Sequence, residues 1–293
     1  MEKRVVFRSR WLPYVLVAPQ LLITLLFFFL PAGQAVQQSV MMQDAFGLSN
    51  EFVGLQNFLA LWDDPNYIAS FKVTILFSVL VAAVGLSVSL LLAVCADRVL
   101  RWGGTYKTFL IVPYAIAPAV AGVLWMFIFN PTLGILSYVL HGMGIDWNYM
   151  VSANDALILI VIAAVWKQVS YNFIFFLAGL QAVPKSLIEA AAMDGAGPVR
   201  RFWSVVFPLL SPTTFFLLVM NIVYAFFDTF AIVDATTMGG PGQDTNILVY
   251  KVFVDGFRNL DFGGSAAQSV VLMVMVIVLT IIQFRFIERR VNY

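Results

Sequence analysis

Two stretches of the sequence place charge where chemistry would need it. The first is one cation. Lys167 lies 11 residues into an apolar run from Ala156 to Leu180, about 16 Å along a helix axis at 1.5 Å per residue. An ammonium that deep in a membrane span is expensive and faces a cavity or a partner. It could meet an anion, or it could bond carbonyls that prolines elsewhere leave free. The second stretch is contiguous and polar. It reads Glu189-Ala-Ala-Ala-Met-Asp194-Gly195-Ala-Gly-Pro198-Val-Arg200-Arg201-Phe202-Trp-Ser-Val205-Val-Phe207-Pro208-Leu-Leu-Ser-Pro212. Helix propensity is high from Leu187 to Met193. Gly195 and Gly197 can adopt angles that end a helix, and Pro198 suits the first turn of another. The stretch therefore predicts two short helices meeting at a bend. Its residues alone leave open a basic amphipathic helix lying on a membrane surface.

Other chemistry is missing from the sequence. There is no Gly-Lys pair, so no Gly-x-x-x-x-Gly-Lys-Ser/Thr phosphate loop and no basis for ATP hydrolysis by this chain. His141 is the sole histidine and reads as a solvated loop residue. Cys95 is the sole cysteine, sits in an apolar run and reads as a core thiol. No metal-ligand spacing or paired carboxylate occurs inside an apolar run, so the chain does not read as an enzyme, and no resident metal or cofactor is expected. An ion-coupled carrier stays open as a rival. Such proteins have broken helices and buried carboxylates, whereas most acids here fall between the apolar runs.

The elements that must position these residues are membrane spans. The 293 residues are 61% hydrophobic and 11% charged, against about 45–50% apolar and about 25% charged in soluble domains. Six apolar runs are long enough to cross a bilayer: Trp11 to about Pro31, Phe71 to Ala96, Thr108 to Phe129, Ala156 to Leu180, Phe207 to Ile232 and Ser265 to Ile287. The first exceeds a signal-peptide core and lacks a clean Ala-x-Ala site, so it reads as a retained span. Pro113 and Pro118 predict a kinked or broken third helix packed inside the bundle.

Basic residues set the expected orientation. Thirteen of the seventeen Lys and Arg residues lie at Lys3, Arg4, Arg8, Arg10, Arg98, Arg101, Lys107, Lys185, Arg200, Arg201, Arg285, Arg289 and Arg290. These segments alternate with acidic loops, so both termini and the Glu189 stretch are expected in the cytoplasm.

The Glu189 stretch resembles the EAA motif of ABC-importer permeases. Glu189, Ala190, Ala191, Asp194, Gly195, Ala196, Phe202, Val205 and Pro208 match it, and Phe207 stands where that motif has Leu. The likeness extends through Gly54-Leu55-Gln56-Asn57-Phe58, through Pro113, Pro118, Trp125, Asn130, Pro131 and Gly134, and through Thr237-Met238-Gly239-Gly240-Pro241 to the carbohydrate-type members of that family. Phe7 to Pro13, Trp166 to Asn172, Tyr224 to Phe230 and Ser265 to Leu272 are most similar to permeases of glycerol-3-phosphate importers.

The resemblance implies an all-α inner-membrane protein with six transmembrane helices and the type I ABC-importer permease fold. Its expected organisation is a cytoplasmic N-terminus at 1–10, a permease domain at 11–287 carrying a coupling helix within 184–212, and a cytoplasmic tail at 288–293. It also implies a second homologous permease, two copies of an ABC ATPase that hold ATP and Mg, and a periplasmic substrate-binding protein. Lipid surrounds the chain, and nothing points to nucleic acid. Coupling to the ATPase would fall to Glu189, Ala190, Ala191, Asp194, Gly195, Ala196, Arg200 and Arg201. Glu189 could form a charge-assisted bond with an ATPase arginine. The substrate path would draw on Lys167, Tyr171, Asn221, Tyr224 and Thr229. The implied cargo is glycerol-3-phosphate or a related glycerophosphodiester, with an uncharged sugar as the alternative.

Overall fold

The computed structural model describes residues 11–43, 50–98 and 103–287. The basic N-terminal residues, Asp44, Arg101, Arg289, Arg290 and the expected cytoplasmic tail lie outside the described residues. The first element is a helix, α1 (Leu12–Thr24), that runs through a π turn into α2 (Leu30–Ser39). A two-stranded antiparallel ribbon follows, β1 (Met41–Gln43) on β2 (Asn50–Phe52), then α3 (Gln56–Asp63) and the long α4 (Pro65–Arg98). Next come α5 (Gly103–Ala115), α6 (Pro118–Ile128), α7 (Ile135–Gly142) and α8 (Ala153–Ala182). Two short helices, α9 (Lys185–Met193) and α10 (Pro198–Arg201), precede α11 (Phe207–Leu209), α12 (Ser211–Val223) and, past a π turn at Tyr224–Asp228, α13 (Phe230–Thr236). The last two are α14 (Leu248–Phe253) and α15 (Phe262–Ile282).

Five of these helical stretches are long and apolar enough to cross a membrane, or six if α5 and α6 count as one broken span. The break is sharp: the pair bends by 104°. Pro118 has no N–H to bond Tyr114 four residues back, so the ladder stops there. The helix pattern is therefore legible from the prolines, and α6 turns to pack on α8 and α13. Gly122 permits that approach, since a Cβ there would stand 3.1 Å from the Ile232 carbonyl.

The described residues form two compact units. One holds the segments up to Asp63 together with Val254–Val271; the other holds Asp64–Phe253 and the segment from Leu272. In the first unit, Asn57 of the Gly-Leu-x-Asn-Phe element donates to the carbonyls of Ser39 and Met41, both at 2.9 Å, and so fixes the ribbon against the end of α2. The second unit is organised around α8. That helix packs along α4 and touches α5, α6, α12 and α13. Its apolar residues are spread around the helix with no continuous polar stripe, which suits a helix surrounded by others.

Four sequence expectations need correction. Cys95 is exposed on α4 instead of buried; an apolar run in a membrane helix does not reveal which face meets lipid. His141 lies in the last turn of α7, 3.7 Å from Asp146, and not in a loop. The expected plain loops hold a ribbon and the helices α3, α7 and α14, whose short apolar stretches fall below span length. Gly197 does not help end α9: its φ of −67° and ψ of 166° are extended, and it serves as the N-cap position of α10.

Candidate functional site

Both candidate regions lie in the second unit. At the Glu189 stretch, α9 ends in a Schellman motif. The N–H of Ala196 bonds the Ala191 carbonyl and that of Gly195 bonds the Ala192 carbonyl, both at 3.0 Å. This closure requires a left-handed residue after the cap, and Gly195 supplies it at φ +81°. Pro198 then opens α10 at its first position. Ile188 and Phe202 turn inward onto Val183, Val206 and Leu210. That anchoring leaves Glu189, Ala190, Asp194, Gly195 and Arg200 exposed, with Ala191, Ala196 and Arg201 half-buried. Leu187, Met193, Val199 and Trp203 are also exposed. The result is a mixed apolar and charged surface on a helix pair closed by its own backbone bonds. Nothing occupies the space within 4 Å of a Cβ built on Gly195. The Asp194 side chain makes no hydrogen bond among the described residues; its backbone N–H caps α9 on Ala190.

The second region is a cavity of about 470 Å³ lined by Tyr114, Pro118, Lys167, Gln168, Tyr171, Met220, Val223, Tyr224 and Asp228. Lys167 reaches it from α8. Its Nζ donates to the carbonyls of Tyr114 at 3.1 Å and Ile116 at 2.8 Å, and it stands 5.4 Å from the centre of the Tyr114 ring. The Tyr114 carbonyl is the one that Pro118 cannot serve. The ammonium therefore caps the break in the third span, where a cation also suits a helix C-terminus. It still lines the cavity, so the capping role and the cavity role coincide in one side chain. Tyr171, one turn on, lines the same cavity and packs on Tyr114 with ring centroids 5.9 Å apart.

The remaining candidates separate. Tyr224 lines the cavity, but its hydroxyl donates to the Ala164 carbonyl at 3.2 Å. Asn221 is fully buried and exchanges two amide bonds with Asn172, at 2.8 and 3.1 Å, while also donating to Leu217. It joins α8 to α12 and does not line the cavity. Thr229 is fully buried and returns its hydroxyl to the Ala225 carbonyl. Sequence reasoning missed Tyr114 and Gln168 as wall residues. Tyr114 follows Pro113 and could have been found by asking which carbonyl Pro118 orphans. Lys251, between the fifth and sixth apolar runs, is buried and pairs with Asp64 at 3.3 Å.

Over residues 3–293 the chain matches the family described as binding-protein-dependent transport system inner membrane component. It is 62% identical over 289 residues to the sn-glycerol-3-phosphate transport system permease protein UgpA of Agrobacterium fabrum, covering 99% of both chains. The protein of that name from Pectobacterium atrosepticum is 59% identical over 292 residues, covering 100% of this chain and 99% of the relative. Among solved structures, a bacterial ABC transporter involved in the import of the acidic polysaccharide alginate superposes with a TM-score of 0.80 at 20% identity, over 95% of this chain and 96% of that one. The alginate transporter in complex with an alginate pentasaccharide-bound periplasmic protein gives 0.78 at 20% identity, over 93% and 92%. At that identity the likeness shows the fold, that of an ABC-importer permease.

Proposed function

The chain belongs to the family of binding-protein-dependent transport system inner membrane components, and from that premise we propose that it carries sn-glycerol-3-phosphate, or related glycerophosphodiesters, inward across the inner membrane as one permease of an ATP-binding-cassette importer. It is a multi-pass membrane permease and not an enzyme. The observation that carries the cargo assignment is the identity of about 60% over the full chain to permeases bearing that name.

The proposed machine has a second homologous permease, two ATPase copies that bind ATP and Mg, and a periplasmic binding protein that delivers substrate. Both termini and the α9–α10 pair face the cytoplasm. Glu189, Ala190, Ala191, Asp194, Gly195 and Ala196 form the surface that docks in the ATPase, with Arg200 and Arg201 beside it. The exposed apolar side chains at Leu187, Met193, Val199 and Trp203 support this reading, because exposed apolar surface rimmed by charge marks a docking site. Lys167 and Tyr171 face the substrate in the cavity. Two of the three Lys167 donors are engaged by carbonyls, which leaves one for a phosphate oxygen.

The test is uptake of labelled glycerol-3-phosphate into proteoliposomes that contain the assembled complex, with ATP inside and the binding protein outside. Uptake should persist after ionophores collapse every ion gradient and should cease without ATP. Uptake that follows an ion gradient and ignores ATP would establish the ion-coupled carrier instead.

A further inference from the structure

The cavity that holds Lys167 also holds a carboxylate, and the two act on each other's charge without closing an ion pair. Asp228 ends the π turn at Tyr224–Asp228 and lines the same wall as Lys167, Tyr171 and Gln168. Lys167 spends its short contacts on the Tyr114 and Ile116 carbonyls. Among the described residues, Asp228 accepts no hydrogen bond and closes no ion pair. Asp228 is exposed where it lines the cavity, and as an acceptor-only group it takes a ligand that donates. The Tyr224 hydroxyl on the same wall does not serve it, because that O–H donates to the Ala164 carbonyl.

We propose that Asp228 binds the hydroxyl end of the substrate: with the phosphate at Lys167, the glycerol hydroxyls donate to the Asp228 carboxylate. This rests on the cavity being the glycerol-3-phosphate path. The two poles fix the direction of the ligand, since a phosphate turned toward Asp228 would meet like charge. They also define a class, an anion carrying O–H donors at its far end. A site built to bond hydroxyls discriminates strongly against an analogue that lacks them, because the site's own polar group is left unpaired.

The experiment uses the complete complex in nanodiscs without the binding protein. It measures displacement of labelled glycerol-3-phosphate by unlabelled glycerol-3-phosphate, by n-propyl phosphate, which has the same phosphate and carbon count but no hydroxyl, and by inorganic phosphate. The wild type should prefer glycerol-3-phosphate to propyl phosphate by about tenfold or more. Asp228→Ala should bring that preference close to unity while leaving propyl phosphate and inorganic phosphate competition unchanged; Asp228→Asn, which keeps an acceptor oxygen, should fall between. Lys167→Met should weaken all three. A preference that survives Asp228→Ala, or equal weakening of every phosphate, overturns the role of Asp228. Co-purification of the ATPase checks that the variant assembles, and Asp228→Asn carries the same measurement if the alanine variant does not. Failure of the cargo assignment looks different: wild-type ATP hydrolysis, with binding protein present, would then not respond to glycerol-3-phosphate.

Discussion

The Glu189 loop is made of consecutive residues closed by their own backbone bonds, whereas the Lys167 cavity is made of side chains from separate segments that meet only through helix packing. In the loop, a glycine at φ +81°, two Schellman bonds and a proline at the first turn set the shape within about one dozen residues. In the cavity, a cation on α8 finishes a break in the third span. A rigid loop suits transmission of force to a partner. A cavity whose charged wall residue also caps a helix break suits a change of shape upon ligand binding, because one ammonium serves both. One part is built from neighbours in sequence; the other is built from segments far apart in sequence.

Changes at the loop should separate docking from folding, and the largest effect is expected there. Gly195→Glu adds a side chain where this chain leaves open space and forces a left-handed residue, at roughly 1–2 kcal/mol. The variant should insert and retain its helices, yet lose co-purifying ATPase and lower uptake on the order of a hundredfold, equivalent to about 3 kcal/mol. Gly195→Asn, which tolerates the left-handed angle, should recover much of the loss. Equal uptake by wild type and Gly195→Glu would erase the contrast between the two regions.

The next effect belongs to the cavity. Lys167→Met should lower uptake by about tenfold with ATPase still bound, since each orphaned carbonyl alone is worth about 1–3 kcal/mol. Lys167→Gln sharpens the reading: its amide can still bond a carbonyl but brings no charge. If the variant melts like wild type and still loses tenfold in uptake, the charge acts on substrate. If Lys167→Gln restores uptake, the lysine serves the break alone.

The smallest effect should come from the joint that holds α8 against α12. Asn221→Leu leaves Asn172 buried without its partner and should reduce stability by about 1–2 kcal/mol, read as a lower melting temperature in detergent. Substrate preference should not change, because Asn221 does not line the cavity. A shift in preference would enlarge the site beyond the wall described.

These two regions also mark how far the sequence reaches. The bend at Gly195 and Pro198 was legible because every determinant lies within a few residues of its effect. The break at Pro118 was legible for the same reason, and so was the depth of Lys167. What joined them was not: nothing in the spacing says that α8 lies beside the end of α5 and not on its far side, so the bond from Lys167 to Tyr114 stayed one option of two. Apolar runs hide facing. Cys95 is exposed although it lies near the end of an apolar run, and Asn221 and Thr229 are buried and do not line the cavity although they share a segment with Tyr224. Short elements hide as well. Lys251 lies between two apolar runs, yet α14 buries it against Asp64. Periodicity yields helices, whereas facing depends on contacts between segments 50 or more residues apart, such as the Lys167–Ile116 bond.

Coupling and cargo are read together by ATP hydrolysis in the reconstituted complex in lipid, with its binding protein and a panel of glycerol-3-phosphate, glycerol and maltose. Stimulation is expected with glycerol-3-phosphate alone, abolished by Gly195→Glu through loss of the ATPase and blunted by Lys167→Met with the ATPase in place. Stimulation only by a neutral sugar would contradict the cargo, and failure of any ATPase to assemble with this chain would contradict the coupling loop itself.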